Sequence, residues 1–136
     1  MQAKISKDFA KRIFDILKKE YPKVKPALVY SNPFELLIST ILSAQCTDER
    51  VNIVTKELFK KYKKPQDFIN LTQEELEKEI FSTGFYKQKA RSIKACCDEL
   101  IKNHKGKVPA DFDELVKLSG VGRKTASVIA GNAFGI

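Results

Sequence analysis

The chain has 136 residues, 43% of them hydrophobic, which suits one domain with a real core. Lysine and arginine number 25 against 17 acidic residues, a net charge of +8 that fits a polyanionic partner such as nucleic acid or an anionic membrane. Three cysteines, Cys46, Cys96 and Cys97, exclude a disulfide framework and have no zinc spacing; they fit a reduced, intracellular, cytoplasmic chain. No stretch approaches a membrane span, and the N-terminus has no long apolar run of the secretory kind.

In chain order the pattern is helical throughout. Residues 6–21 open on Ser6, and Phe9, Ile13 and Leu17 recur at helical spacing; Pro22 ends the segment. A linker with two prolines comes next. Asn32 then caps a helix with Pro33 in its first turn, apolar nearly all round, which predicts a buried central helix. Asp48 reads as the cap of the next helix, with Val51, Val54 and Leu58 on one face. After a turn and a short helical piece, Thr72 and Glu75 form a capping-box start, with Leu76 and Ile80 inward and Gly84 as the stop.

Residues 86–104 make a long amphipathic helix with Ala90, Ile93, Cys97, Leu100 and Ile101 inward. His104, the single histidine, reads as a solvated helix end without a catalytic role. A short helix near Phe112–Leu118 and a last one from Arg123 to Phe134 complete the chain. No segment alternates like a strand, so the fold class is all-α, an orthogonal bundle of about six to eight helices.

Between the last two helices stands Leu-Ser-Gly-Val-Gly-Arg-Lys-Thr, residues 118–125. Gly120 can adopt the left-handed conformation that closes one helix. Gly122 opens the next, where the missing side chain lets another backbone come close. The first amides of that helix lack intrahelical acceptors and carry the positive end of its dipole, so a phosphate fits there. Arg123 and Lys124 add fixed charge. Lys124 stands where the dipole disfavours an ammonium; a phosphate contact and a nucleophilic amine are both open to it.

Three stretches together, residues 32–52, 82–93 and 118–135, resemble the endonuclease III family of base-excision DNA glycosylases, over about residues 8–136. The resemblance implies that residues 1–30 form an N-terminal helix and linker. Residues 31–136 would form the family's six-helix domain, with a helix-hairpin-helix at about 111–134. It implies that Lys124 attacks C1′ of a nucleotide bearing an oxidised pyrimidine, displaces the base, forms a Schiff base and nicks the strand by β-elimination. Gly120, Val121, Gly122, Arg123 and Thr125 would hold double-stranded damaged DNA. Gln45 would fill the gap left by the flipped base, and Phe85 would act as the apolar wedge; from the residues alone Gln45 reads as a helix-end polar residue and Phe85 as core. The carbonyls of Val116, Leu118 and Val121 would hold a monovalent cation. A related branch that removes adenine opposite oxidised guanine has no lysine at this place, so Lys124 argues against it.

Family members continue beyond Phe134-Gly135 into a segment with a catalytic aspartate, then usually four cysteines that bind a [4Fe-4S] cluster. No residue here matches that aspartate, since Asp111 and Asp113 precede the turn, and the three cysteines lack the cluster's spacing. The chain is therefore expected to be a shortened form without the cluster, its activity lost or restricted to cleavage of abasic sites. It would be a monomer, or would associate through an apolar patch left by helix 6–21 and the C-terminal helix. Two other readings stay open: a non-catalytic helix-hairpin-helix DNA-binding module, and a basic helical scaffold for proteins.

Overall fold

The computed structural model describes residues 28–134; the helix expected over residues 6–21 lies outside them. Among the described residues there are seven α-helices and no strand: α1 Pro33–Leu42, α2 Asp48–Lys61, α3 Pro65–Ile69, α4 Gln73–Ile80, α5 Tyr86–His104, α6 Phe112–Val116 and α7 Arg123–Phe134, with a 3-10 turn, Phe81–Thr83, between α4 and α5.

The central helix forms where the apolar run predicts. The Asn32 side chain accepts the Glu35 amide at 2.9 Å, Pro33 occupies the first turn, and eight of the ten residues of α1 are buried. α2 differs from the expectation at its start. Thr47 is the cap, its hydroxyl accepting the Arg50 amide at 3.1 Å, and Asp48 is the first helical residue, where its charge still favours the dipole. Thr and Asp are both strong caps, so adjacent ones leave the choice to the surroundings. Thr72 and Glu75 form the predicted capping box, and Leu76 and Ile80 are fully buried. Gly84, at φ +77°, ends this unit after the 3-10 turn.

The long helix α5 is the hub. α1, α3 and α4 pack on it, and α7 packs on α1 and α6. Ala90, Ile93, Cys96, Cys97 and Leu100 are buried along α5, while Ile101 is half-buried. They join Leu36, Leu37, Ile38 and Leu42 of α1 in one core that continues to Phe68, which meets Phe34 edge-on at 5.7 Å. Each such aliphatic side chain contributes roughly 1.5–3 kcal/mol on burial. His104 is not merely solvated: its side chain is half-buried, and Nε2 lies 3.8 Å from a Glu114 carboxylate oxygen, linking the end of α5 to α6.

Candidate functional site

The turn between α6 and α7 has two glycines with different duties. Gly120 sits at φ +80°, and a Cβ built on it would lie 3.0 Å from Ser92 Cβ and 3.4 Å from Ile41 Cγ1. It therefore serves both conformation and close packing. Around Gly122 nothing lies within 4 Å of a built Cβ. Within the protein the close approach is at Gly120, because the turn leans on α5 there. Gly122 faces open space instead.

The Gly122 carbonyl accepts the Ala126 amide at 2.8 Å, so the amides of Arg123, Lys124 and Thr125 stand ahead of the helical ladder. Val121 does not join them. Its side chain is in the core and its amide donates to the Leu118 carbonyl at 3.1 Å. The Arg123 guanidinium lies 5.4 Å from the centre of the Phe112 ring, so the cation closes the hairpin across its two helices while remaining exposed.

The hairpin is anchored on α5. The Glu99 carboxylate accepts the Ser119 amide at 2.8 Å and the Ser119 hydroxyl at 2.6 Å. Ser92, the neighbour of Gly120, lies two turns earlier on the same face. Lys124 and Thr125 line a cleft of about 510 Å³ whose opposite wall includes Thr40 and Ser43 at the end of α1 and Asp48 at the start of α2. Leu28 and Tyr30 also line it, and the Tyr30 hydroxyl donates to the Asn132 carbonyl at 3.3 Å. Asp48, read from the sequence as a cap, is thus a carboxylate of the cleft that holds Lys124. Lys124 itself is exposed.

Gln45 and Phe85 share a feature that the sequence did not reveal. Both are in the left-handed region, at φ +52° and φ +47°, which costs an L-residue roughly 1–2 kcal/mol. Neither packs inside: Gln45 is exposed, and Phe85 is 64% exposed, contrary to its reading as core from the residues alone. Among the described non-glycine residues only Lys105, the C-cap of α5, shares this backbone conformation. Phe81, also exposed, meets the Tyr86 ring at a tilt of 46° with the ring centres 4.8 Å apart.

Among the described residues no group of three or more His, Cys, Asp or Glu could hold a metal. The cysteines do not fit an iron–sulfur cluster. Cys96 and Cys97 are buried in α5, where burial pushes the Cys96 thiol up to about 12 and the Cys97 thiol higher still; cluster ligation needs thiolates. Of the three carbonyls expected to hold a monovalent cation, Leu118's accepts the Val121 amide and keeps a second lone pair, and the described hydrogen bonds use neither Val116's nor Val121's. In α7 the exposed large apolar side chain is Val128, while Ile129 is buried. No described helix is long and apolar enough to cross a membrane.

A bundle of helices organised on one long helix, with a Gly-Val-Gly hairpin beside a lysine-lined cleft, defines an all-α helix-hairpin-helix protein. The HhH-GPD superfamily base excision DNA repair protein model matches residues 38–132, and the chain belongs to that family. Endonuclease III of Bacillus subtilis is 52% identical over 116 residues, 85% of this chain and 53% of that protein. Endonuclease III in a solved non-covalent complex with DNA superposes with a TM-score of 0.83 at 50% identity, covering 98% of this chain and 62% of that one. A trapped endonuclease III–DNA covalent intermediate, an estranged-adenine complex, gives a TM-score of 0.82 at 50% identity, with the same coverage. The chain therefore spans between half and two thirds of the length of these relatives.

Proposed function

We propose that this chain belongs to a DNA glycosylase/AP lyase of base-excision repair that removes oxidised pyrimidines and cleaves abasic sites in double-stranded DNA, with Lys124 as its nucleophile. The observation that carries the reading is the place of Lys124: the first turn of α7, two residues after Gly122 and on the wall of the cleft. Backbone amides at that turn suit a phosphate, and an amine beside them suits the sugar of the same nucleotide.

In this reading the Lys124 amine attacks C1′ and the bond from C1′ to the base breaks, the base leaving with the electron pair. Ring opening yields an imine between Nζ and C1′. A proton then leaves C2′, the C3′–O bond breaks, and the strand is nicked 3′ to the site. Gln45 occupies the space of the expelled base, and Phe85 wedges the duplex, a task suited to an exposed apolar side chain on a strained turn. Thr125 and Arg123 assist at the backbone, with Gly120 and Gly122 shaping the approach. A monovalent cation on the carbonyls of Val116, Leu118 and Val121 would add positive charge beside the phosphate. That one related protein was trapped covalently on DNA supports the chemistry.

Borohydride trapping on a duplex carrying one abasic site tests this. The expected result is a covalent adduct with the parent chain and none with Lys124→Ala, with salt-sensitive DNA binding in both. Binding without an adduct in the parent would leave a non-catalytic helix-hairpin-helix module; binding indifferent to salt would remove the DNA reading altogether.

A further inference from the structure

Lys89 is a lysine in the wrong place for a basic surface. It is 4% exposed, and among the described residues no carboxylate pairs with it. Its ammonium donates instead to two main-chain carbonyls far apart in the chain, Leu42 at 2.7 Å and Thr83 at 2.8 Å. Both carbonyls end helical segments: Leu42 closes α1, and Thr83 closes the 3-10 turn. Such groups lack intrahelical donors and carry the negative end of the dipole, so a cation satisfies both at once. Burial without a counter-ion also pulls the Lys89 pKa below the ordinary lysine value.

Each of these carbonyls stands just before a strained, exposed turn. Three residues after Leu42 comes Gln45, and two residues after Thr83 comes Phe85, two of the three exposed non-glycine residues at positive φ; the third, Lys105, is the C-cap of α5. The two turns come from separate parts of the chain. Lys89 lies on the core stripe of α5, four residues before Ile93 and seven before Cys96, so the helix that carries the hairpin anchors Ser92 and Glu99 carries this bridge too.

We propose that Lys89 is a positioning residue for lesion recognition: its buried ammonium, by bridging the Leu42 and Thr83 carbonyls, fixes the spacing between the Gln45 turn and the Phe85 turn so that both enter one duplex site together. This rests on the reading of Gln45 and Phe85 as duplex-inserting residues. Lys89 would not touch DNA. Its loss would loosen the two turns relative to each other and leave the phosphate-holding hairpin in place. If the aligned arrangement falls to about a tenth of the population, apparent affinity for a damaged site falls about tenfold.

The test compares fluorescence-anisotropy binding of the full chain to one duplex with an abasic site and to the same duplex intact. The variants are Lys89→Met, which fills the space without a donor, Lys89→Arg, Gln45→Ala and Phe85→Ala. For Lys89→Met the expected result is about a tenfold loss for the abasic duplex, an unchanged affinity for the intact duplex, and an unchanged salt slope. Phe85→Ala made on top of Lys89→Met should then lose much less than it does in the parent, and 2-aminopurine placed opposite the abasic site should brighten less. A folded Lys89→Met with the parent's abasic preference overturns the proposal. If Lys89→Met does not fold, Lys89→Arg decides: its planar fork changes the bridge, so a folded variant with lost preference supports the proposal, and one with the parent's preference assigns Lys89 to the fold alone. A parent with no abasic preference, or Gln45→Ala and Phe85→Ala variants that both keep it, would sink the underlying reading as well, and does so without any change at Lys89.

Discussion

Replacing each hairpin glycine by alanine should separate folding from binding. At Gly120 the backbone is at φ +80°, where a Cβ costs roughly 1–2 kcal/mol. The same Cβ would stand 3.0 Å from Ser92 Cβ, well inside the ordinary separation of about 3.5–4.0 Å for two carbons. Relief requires the hairpin to lift off α5, and overpacking of this kind costs roughly 1–3 kcal/mol. Gly120→Ala is therefore expected to lose about 2–5 kcal/mol, a large part of the roughly 5–15 kcal/mol that holds a typical domain. Gly122→Ala meets no protein atom within 4 Å and no positive φ, so its stability should stay within about 0.5 kcal/mol of the parent. Its methyl instead occupies the open space beside the leading amides of α7. Abasic-duplex affinity should fall about tenfold, or about 1.4 kcal/mol. Urea unfolding followed by circular dichroism reads the first quantity and anisotropy the second. Ser92→Gly removes the atom at 3.0 Å but carries the cost of glycine inside α5, so Gly120→Ala measured against Ser92→Gly alone should lose the packing part of its penalty and keep the conformational part. Equal stability losses for the two hairpin glycine variants, or an unchanged Gly120→Ala penalty in the Ser92→Gly background, would refute this account of the turn.

Two other outcomes are expected from particular side chains. Gln45→Gly relieves a left-handed glutamine at φ +52°, so the chain should gain up to about 1 kcal/mol in urea unfolding while losing affinity for abasic DNA; a loss of stability would show that the Gln45 side chain supports the fold. A thiol reagent at pH 8 should label Cys46, the half-buried one, and spare Cys96 and Cys97, whose buried thiols stay protonated there. The expected stoichiometry is one thiol in the native chain and all three in denaturant; native labelling of α5 would contradict the core packing.

Local physics made much of this protein legible in its sequence. Helix periods, the Asn32 and Thr72 caps, the stop at Gly84 and the limits of α5 all depend on groups within a few residues of one another, so they survive tertiary context. The hairpin was legible for the same reason, since paired glycines and paired cations in eight residues suit few structures. Family resemblance, and not periodicity, drew attention to Gln45 and Phe85. Their composition suggested a helix end and a core residue, because neither a left-handed backbone nor exposure is written in a residue's type.

Contacts between distant segments decided the rest. Gly120 rather than Gly122 takes the tight approach because Ser92 and Ile41 arrive from other helices. Asp48 faces the Lys124 cleft because α2 starts close to the end of α1, on which α7 packs. Lys89 looks, in a run of basic residues, like one more solvated lysine. Its place on the apolar stripe of α5 was the available signal, yet only the folded chain brings the Leu42 and Thr83 carbonyls together to receive it. The sequence by itself determined which segments are helical and where phosphate-binding chemistry is stored. The tertiary structure decided which backbone groups meet, because hydrogen bonds and steric contacts between remote segments depend on distances that no local pattern encodes.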